Sequence, residues 1–283
     1  MSERSASRTA LSVAAMRAFH QTLDGVPKIL DDPIAPRIVD AASIARVGAA
    51  RNPWTEALRL HVLVRSRYAE DRLADAVQRG VRQFVSLGAG YDTFAYRQPA
   101  WASDLRIFEV DHPASQDAKR RRLERAHVAL PPNLIFAPID FERTVLSEGL
   151  RAAGFDTAQP AFFSWLGVMM YLDLAAIDGV FEYVASLPPG SEIAFSYARP
   201  GRWFAIESPI AMAAAAVGEP WKSRFTPDDL EARLRAHGFG QVEFLGAREA
   251  NERYRPMRSG LPPLQRVSIG AARVTSGDEA SHR

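Results

Sequence analysis

The sequence predicts a Rossmann-like α/β fold: a doubly wound, mainly parallel, seven-stranded sheet with a helical region before it. Three observations carry this. Short apolar runs recur at residues 83–87, 105–110, 134–139, 161–167, 192–197, 241–245 and 266–272. Runs of that length, rich in branched and aromatic residues and bounded by turn residues, mark strands. Helical stretches near 114–129, 141–153 and 174–186 separate the earlier ones, and such alternation gives a parallel sheet between helix layers. Finally, the first strand runs into Gly88-Ala89-Gly90 and the second ends in Glu109-Val110-Asp111. Ligands of doubly wound sheets sit at the carboxyl ends of the strands, so a site is expected there.

The remaining elements follow in order. Residues 10–80 read as helical, with breaks at Gly25-Val26-Pro27, Asp32-Pro33 and Asn52-Pro53. Leu58, His61, Val62, Arg65, Tyr68 and Ala69 share one helix face, which Leu73 and Val77 extend toward the first strand. No helix is expected between the last two strands, only a loop with Gly260-Leu261-Pro262-Pro263. They read as an antiparallel pair closing the sheet. The expected organisation is a helical lid over 1–80, a core over 81–275 and a disordered tail over 276–283.

Composition narrows the function. The 283 residues carry 35 basic and 33 acidic side chains, a net charge of only +2, which gives no case for bulk nucleic-acid binding. The basic stretch Lys119-Arg120-Arg121-Arg122 is local. With no cysteine, disulfides, thiolate metal sites and cysteine nucleophiles are excluded. The six histidines match no metal-ligand spacing, so no metal is expected. No apolar run is long enough to span a membrane, and the polar first residues lack a signal core, so the cytoplasm is the expected location.

The chemistry-bearing residues cluster at the strand ends. Gly88 and Gly90 allow close backbone approach to a ligand, and the turn through Ala89 and Asp92 is the expected cofactor seat. A dinucleotide fingerprint needs a third glycine where Thr93 stands. The pyrophosphate loses its seat, and a nucleoside without phosphates, such as S-adenosylmethionine, fits better. Glu109 and Asp111, side by side at the next strand end, suit a ribose diol; Asp111 also reads as an N-cap for the following helix. Asp140 with Phe141, at the third strand end, suits adenine, and Asp140 reads equally as a cap. Arg65 lies on the apolar face of its helix, where a buried cation needs an anion. That anion is a cofactor carboxylate or a local acid such as Glu109 or Asp111, and Arg67 faces elsewhere.

These motifs carry a resemblance. Leu87-Gly88-Ala89-Gly90-Tyr91-Asp92-Thr93 with Tyr96-Arg97 resembles the glycine motif of the leucine carboxyl methyltransferase family, which includes bacterial S-adenosylmethionine-dependent O-methyltransferases. Phe108-Glu109-Val110-Asp111-His112-Pro113, with Lys119-Arg120-Arg121-Arg122-Leu123 after it, resembles the family's next motif. Val64-Arg65-Ser66-Arg67-Tyr68 and Ile29-Leu30-Asp31-Asp32-Pro33-Ile34-Ala35 resemble its arginine helix and N-terminal motif. The resemblance implies a class I methyltransferase fold with a helical lid. It implies that Arg65 holds the cofactor carboxylate, Gly88 the methionine part, Asp111 the ribose, and Asp140 with Phe141 the adenine. One position departs: Leu166 stands where the family often has an acid.

The expected reaction is methyl-ester formation on a small organic acid. A carboxylate is already ionised at neutral pH, so no general base is required. Tyr171, Tyr197 and Arg199 follow the fourth and fifth strands and are the expected acceptor-positioning residues; Arg202, Trp203, Arg17 and Phe19 are candidates to complete that pocket. Three alternatives stand beside this. A hydroxyl or phenol acceptor would need a base, for which His20 and His61 are candidates. A nicotinamide dehydrogenase is opposed by Thr93, and a cofactor-bound, non-catalytic interaction protein is the third.

Overall fold

The computed structural model describes residues 8–140, 145–200, 220–254 and 263–276. Helices α1 (Arg8–Leu23), α2 (Ala35–Ile38), α3 (Ala41–Ala49) and α4 (Pro53–Gln78) precede the first strand. Their starts follow from local chemistry. Asp40 accepts from the Ser43 amide at the head of α3. Asn52 accepts from the amides of Trp54 and Thr55 at the head of α4. Such side chains satisfy amides that a first helical turn leaves free.

After them come β1 (Gln83–Leu87), β2 (Arg106–Asp111), α5 (Pro113–Arg125), β3 (Leu134–Pro138), α6 (Leu146–Ala152), β4 (Ala161–Trp165), α7 (Leu174–Ala185) and β5 (Glu192–Ser196). The chain closes with α8 (Pro227–Ala236), β6 (Gln241–Phe244), α9 (Ala247–Tyr254) and β7 (Ile269–Arg273). The seven strands form one sheet in the order β3-β2-β1-β4-β5-β7-β6. Only β7 runs against the others, inserted between β5 and β6. The order reverses beside β1, so the connections leaving β1 and β4 run to opposite sides and open the crevice where this topology binds ligands.

The expected strands are present, with shifted ends. β4 stops at Trp165 instead of 167 because Gly167 turns the chain at φ 74°. β7 begins at Ile269 instead of 266. The expected bare loop between the last two strands is corrected: α9 lies there. It is mostly polar and buries only Ala250 and Tyr254, too thin an apolar stripe to announce a helix. The Gly260 to Pro262 part of that loop and the tail beyond 276 lie outside the described residues.

Two apolar layers sandwich the sheet. On one face Val85, Phe108, Phe163, Trp165 and Phe195 pack with Phe181 of α7 and Phe239. On the other, Phe84, Ile107, Phe162 and Ile269 pack with Leu63, Val64 and Leu73 of α4 and Tyr254 of α9. Each large side chain of this kind contributes about 1.5–3 kcal/mol by leaving water. A third cluster seats Ala14, Ala15 and Ala18 of α1 against Ile34, Ile38, Tyr91 and Leu123. That cluster brings α1 to the glycine turn.

Helix α4 is pinned at its far end. Glu192, fully buried at the start of β5, accepts from Arg72 Nε and Arg79 Nη2, both at 2.6 Å. Arg72 Nη1 reaches Glu243 on β6 at 2.6 Å. One carboxylate thus fixes where α4 lies along the sheet. Glu192→Ala leaves two arginines without their buried counterion, and breaking such a pair costs about 3 kcal/mol or more. Glu243 is 41% exposed, so Glu243→Ala is expected to cost under about 1 kcal/mol. Urea unfolding midpoints of the two variants check the contrast.

Candidate functional site

The site begins where β1 ends. Gly88 and Gly90 adopt φ of 66° and 48°, a region that side-chain-bearing residues rarely enter. Space enforces the same choice at Gly88, where a Cβ would stand 2.4 Å from Val168 Cγ2. The Ala89 amide donates to Val110 O at 3.0 Å, clamping the turn to β2. Asp111, half-buried at the end of β2, braces the turn from below. Its Oδ2 accepts from the Gly90 amide at 2.5 Å and its Oδ1 from the His112 amide at 2.7 Å. Burial raises its carboxyl pKa, while those two amides pull it down. Each oxygen retains a lone pair for a further donor.

The helix-cap reading of Asp111 is corrected, because His112 Nδ1 accepts from the Ala114 amide at the head of α5. The cap reading of Asp140 is corrected too. Helix α6 starts at Leu146 behind Val145, which makes no side-chain cap. Asp140 stands beside Asp111: the Ile139 amide donates to Asp111 O at 2.9 Å, and Asp140 Oδ2 lies 3.9 Å from His112 Nε2. Phe141 lies outside the described residues. Gly88, Gly90, Asp111 and Asp140 are therefore gathered at one edge.

Two expected cofactor residues are already occupied within the protein. Glu109 is 2% exposed, with Oε2 accepting from Lys119 Nζ at 2.7 Å and from the Tyr96 hydroxyl at 3.3 Å. Burial raises its pKa and Lys119 opposes that. The expected side-by-side pair with Asp111 is corrected: Glu109 is tied to Lys119 between β2 and α5 through Oε2, while its Oε1 is buried without a hydrogen-bond partner. Asp92 accepts from Arg17 Nη1 at 3.1 Å and from the Phe94 amide at 2.9 Å. Burial works to raise its pKa, but Arg17, Lys119 and Arg97 hold it low. Arg17 also donates to Tyr91 O and pairs with the buried Asp32 at 3.2 Å. Arg97 joins them through Asp32 at 3.5 Å and Glu70. Arg17 thus ties α1 to the glycine turn and does not face an acceptor. Phe19, 2% exposed beneath the Arg59 guanidinium, is likewise core.

Arg65 is different. It is 9% exposed, its Nε is buried without a partner, and it makes no hydrogen bond or ion pair among the described residues. The local-acid reading is corrected, since neither Glu109 nor Asp111 reaches it. Its guanidinium lies against Gly167, where a Cβ would meet Nη1 and Nη2 at 2.8 Å. Burial and then the like charge of Arg17 lower its pKa to about 10, so it stays cationic at neutral pH. A buried cation without a counterion is strongly unfavourable, so an anion placed here would be strongly favoured. Arg67, as expected, points away and pairs with Asp71 at 2.7 Å.

On the other flank, Tyr171 is half-buried and close enough to Arg65 to act on its charge. Tyr197 is corrected. It is 3% exposed, with its ring 6.3 Å from Phe195 and 5.8 Å from Phe244, and burial raises its hydroxyl to about 12. Its amide donates to Ser268 O at 3.1 Å, extending the β5–β7 ladder and turning the ring into the core. Arg199 is half-buried beyond it; Arg202 and Trp203 lie outside the described residues. Leu166 packs with the apolar layer under α4, so no acid stands there. His20 is fixed between Asp24 at 2.7 Å and the Ile29 amide. His61, one turn before Arg65, is lowered to about 3 by burial and by Arg65. Among the described residues no cluster of three His, Asp or Glu is placed to hold a metal, and no helix is long and apolar enough to cross a membrane.

Comparison with known proteins agrees with this geometry. The profile of the family described as leucine carboxyl methyltransferase matches residues 10–185. The chain is 33% identical to YktD of Bacillus subtilis, an inferred S-adenosyl-L-methionine-dependent methyltransferase, over 89% of this chain and 92% of that protein. It is 36% identical to an inferred methyltransferase of the same kind from Mycobacteroides abscessus, over 66% of this chain and 62% of that protein. Among solved structures, a DUF574 family protein of Streptomyces avermitilis superposes with a TM-score of 0.64 at 17% identity, covering 95% of this chain and 98% of that one. An inferred methyltransferase of Thermobifida fusca follows at 0.58 and 18% identity, covering 93% and 94%; both likenesses speak to the fold alone. With the family profile spanning the helices, the glycine turn and the first four strands, this chain belongs to the leucine carboxyl methyltransferase family.

Proposed function

We propose that this S-adenosylmethionine-dependent methyltransferase forms a methyl ester on the carboxylate of a small organic acid. The observation that carries the cofactor placement is Arg65, a buried guanidinium without a counterion among the described residues, lying against Gly167, whose neighbour Val168 covers Gly88. The residues fit the group: Arg65 would take its carboxylate, Gly88 and Gly90 would admit its sulfonium arm, Asp111 the ribose and Asp140 the adenine. When bound, S-adenosylmethionine supplies an electrophilic methyl on a sulfonium, open to in-line displacement by an acceptor oxygen.

The chain's own work is alignment and exclusion of water. Arg65 meets a carboxylate with two parallel N–H groups, a bidentate pairing that fixes direction as well as distance. Tyr171 and Arg199 would hold the acceptor across β4 and β5. Neither base candidate is free to serve. His20 has both ring nitrogens engaged, and His61 is lowered to about 3. A carboxylate needs neither, which favours it over a phenol.

Calorimetry with two ligands tests the placement. Arg65→Ala should weaken S-adenosylhomocysteine about ten- to a hundredfold, the loss of a hydrogen-bonded charge, and leave adenosine nearly unchanged. Arg67→Ala should change neither. Equal losses for both ligands on Arg65→Ala would show that the arginine only supports the fold. Asp111→Ala should weaken both ligands together, since the ribose and the Gly90 amide both lose an acceptor.

The reaction is tested with labelled methyl donor, a set of carboxylic acids and phenols, and mild alkali. A methyl ester is labile to alkali and an aryl ether is not. The rate should stay flat from about pH 6 to 9, because an acid of pKa near 4 is ionised throughout. His61 near 3 keeps one charge state across that window, and Arg65 near 10 begins to lose its charge only toward the upper end. An alkali-stable product, or a rate that climbs with pH, would replace the carboxylate with a hydroxyl acceptor.

A further inference from the structure

The methyl-ester reading leaves open what fixes the acceptor's orientation once Arg65 has taken the cofactor. The route from Arg65 leads along α4 toward β5. The backrest of Arg65 is Gly167, whose amide donates to Ser196 Oγ at the end of β5, at 2.8 Å. Ser196 pairs with Ile269 of β7. The preceding residue, Ser268, donates its amide to His61 Nε2 at 3.4 Å. His61 stands four residues before Arg65, on the same face of α4. It therefore overlooks the carboxyl ends of β4 and β5, on the side away from Asp111 and Asp140.

The hydrogen bond also sets the ring's protonation. A neutral imidazole whose Nε2 accepts carries its hydrogen on Nδ1. Nothing among the described residues takes that Nδ1–H, and the side chain is only half-buried. Arg65 and burial keep the ring uncharged, so it offers one neutral donor and no positive charge.

We propose that His61 presents Nδ1–H to the acceptor carboxylate and is a specificity-determining residue of this site. The inference rests on the carboxylate reading above. A neutral donor holds one oxygen of the acid while the other attacks, and it does not trap the acid as a second cation would. It gives the site a preference for acids whose carboxylate reaches past Tyr171 to α4.

The test uses the whole protein saturated with S-adenosylhomocysteine and titrated with a panel of small carboxylic acids. In parallel, KM and kcat are measured with S-adenosylmethionine. His61→Phe should weaken the best acid, or raise its KM, about ten- to a hundredfold, as expected for a hydrogen bond to a charged group. Its affinity for S-adenosylhomocysteine should stay within about twofold. His61→Asn places an amide N–H near the Nδ1 position, and acid affinity should return to within about threefold of the parent. An unchanged acid affinity in His61→Phe, a parallel fall in S-adenosylhomocysteine affinity, or a folded His61→Asn as weak as His61→Phe would overturn the assignment. So would a neutral-pH inflection in the parent's rate that both variants lose, which marks a base. If no acid binds or is esterified by the parent, the carboxylate reading falls and takes this one with it. If acids are esterified and His61→Phe is indifferent, only the His61 assignment falls.

Discussion

A guanidinium kept inside a protein without a counterion constrains everything around it. Arg65 stays in place because α4 cannot retreat. The buried Glu192 holds the helix's far end through two arginines, and Leu63 and Val64 press its middle into the sheet layer. Nor can the chain after β4 crowd in, because Gly167 has no side chain to place there. A fold normally neutralises or exposes such a group. Among the described residues this one does neither, and the charge stays uncompensated unless an anion joins it.

The acids nearby are sorted by the same electrostatics. Of the carboxylates near the glycine turn, Glu109 is matched by Lys119 and Asp92 by Arg17. Asp111 has no arginine or lysine hydrogen-bonded to it among the described residues; the Gly90 and His112 amides and the Ser115 side chain hold it. An amide orients a carboxylate without cancelling its charge, so Asp111 remains able to accept from hydroxyl groups. Glu109 and Asp92 are engaged elsewhere, and Arg65 finds no acid among the described residues. The arrangement separates the carboxylates tied up in ion pairs from Asp111, which no basic side chain engages by a hydrogen bond among the described residues.

Much of this was legible in the residue order because it is local. Gly88 and Gly90 signal a backbone path, and Arg65 on an apolar helix face signals a buried charge; each needs only its near neighbours to be read. Glu109 and Asp111 show the limit. Strand alternation puts both on one face, but which of them meets a solvent edge depends on Lys119 coming back along α5. Tyr197 shows it again. Its direction is decided by a hydrogen bond to Ser268, 71 positions on, because β7 pairs with β5. Helix α9 was missed for a different reason, since two buried residues make no visible period.

The position of β7 has a consequence for how the molecule is made. It is the last strand in chain order, yet it lies between β5 and β6. While the chain emerges, β5 presents an unpaired edge and β6 has no partner, and exposed edges invite pairing with other chains. The ladder that orients Tyr197 and supplies Ser268 cannot form until the final stretch is present. The nascent protein thus carries its glycine turn and arginine helix well before β7 completes the sheet, and a ribosome that stalls late would leave a chain with the first strands paired and an open sheet edge.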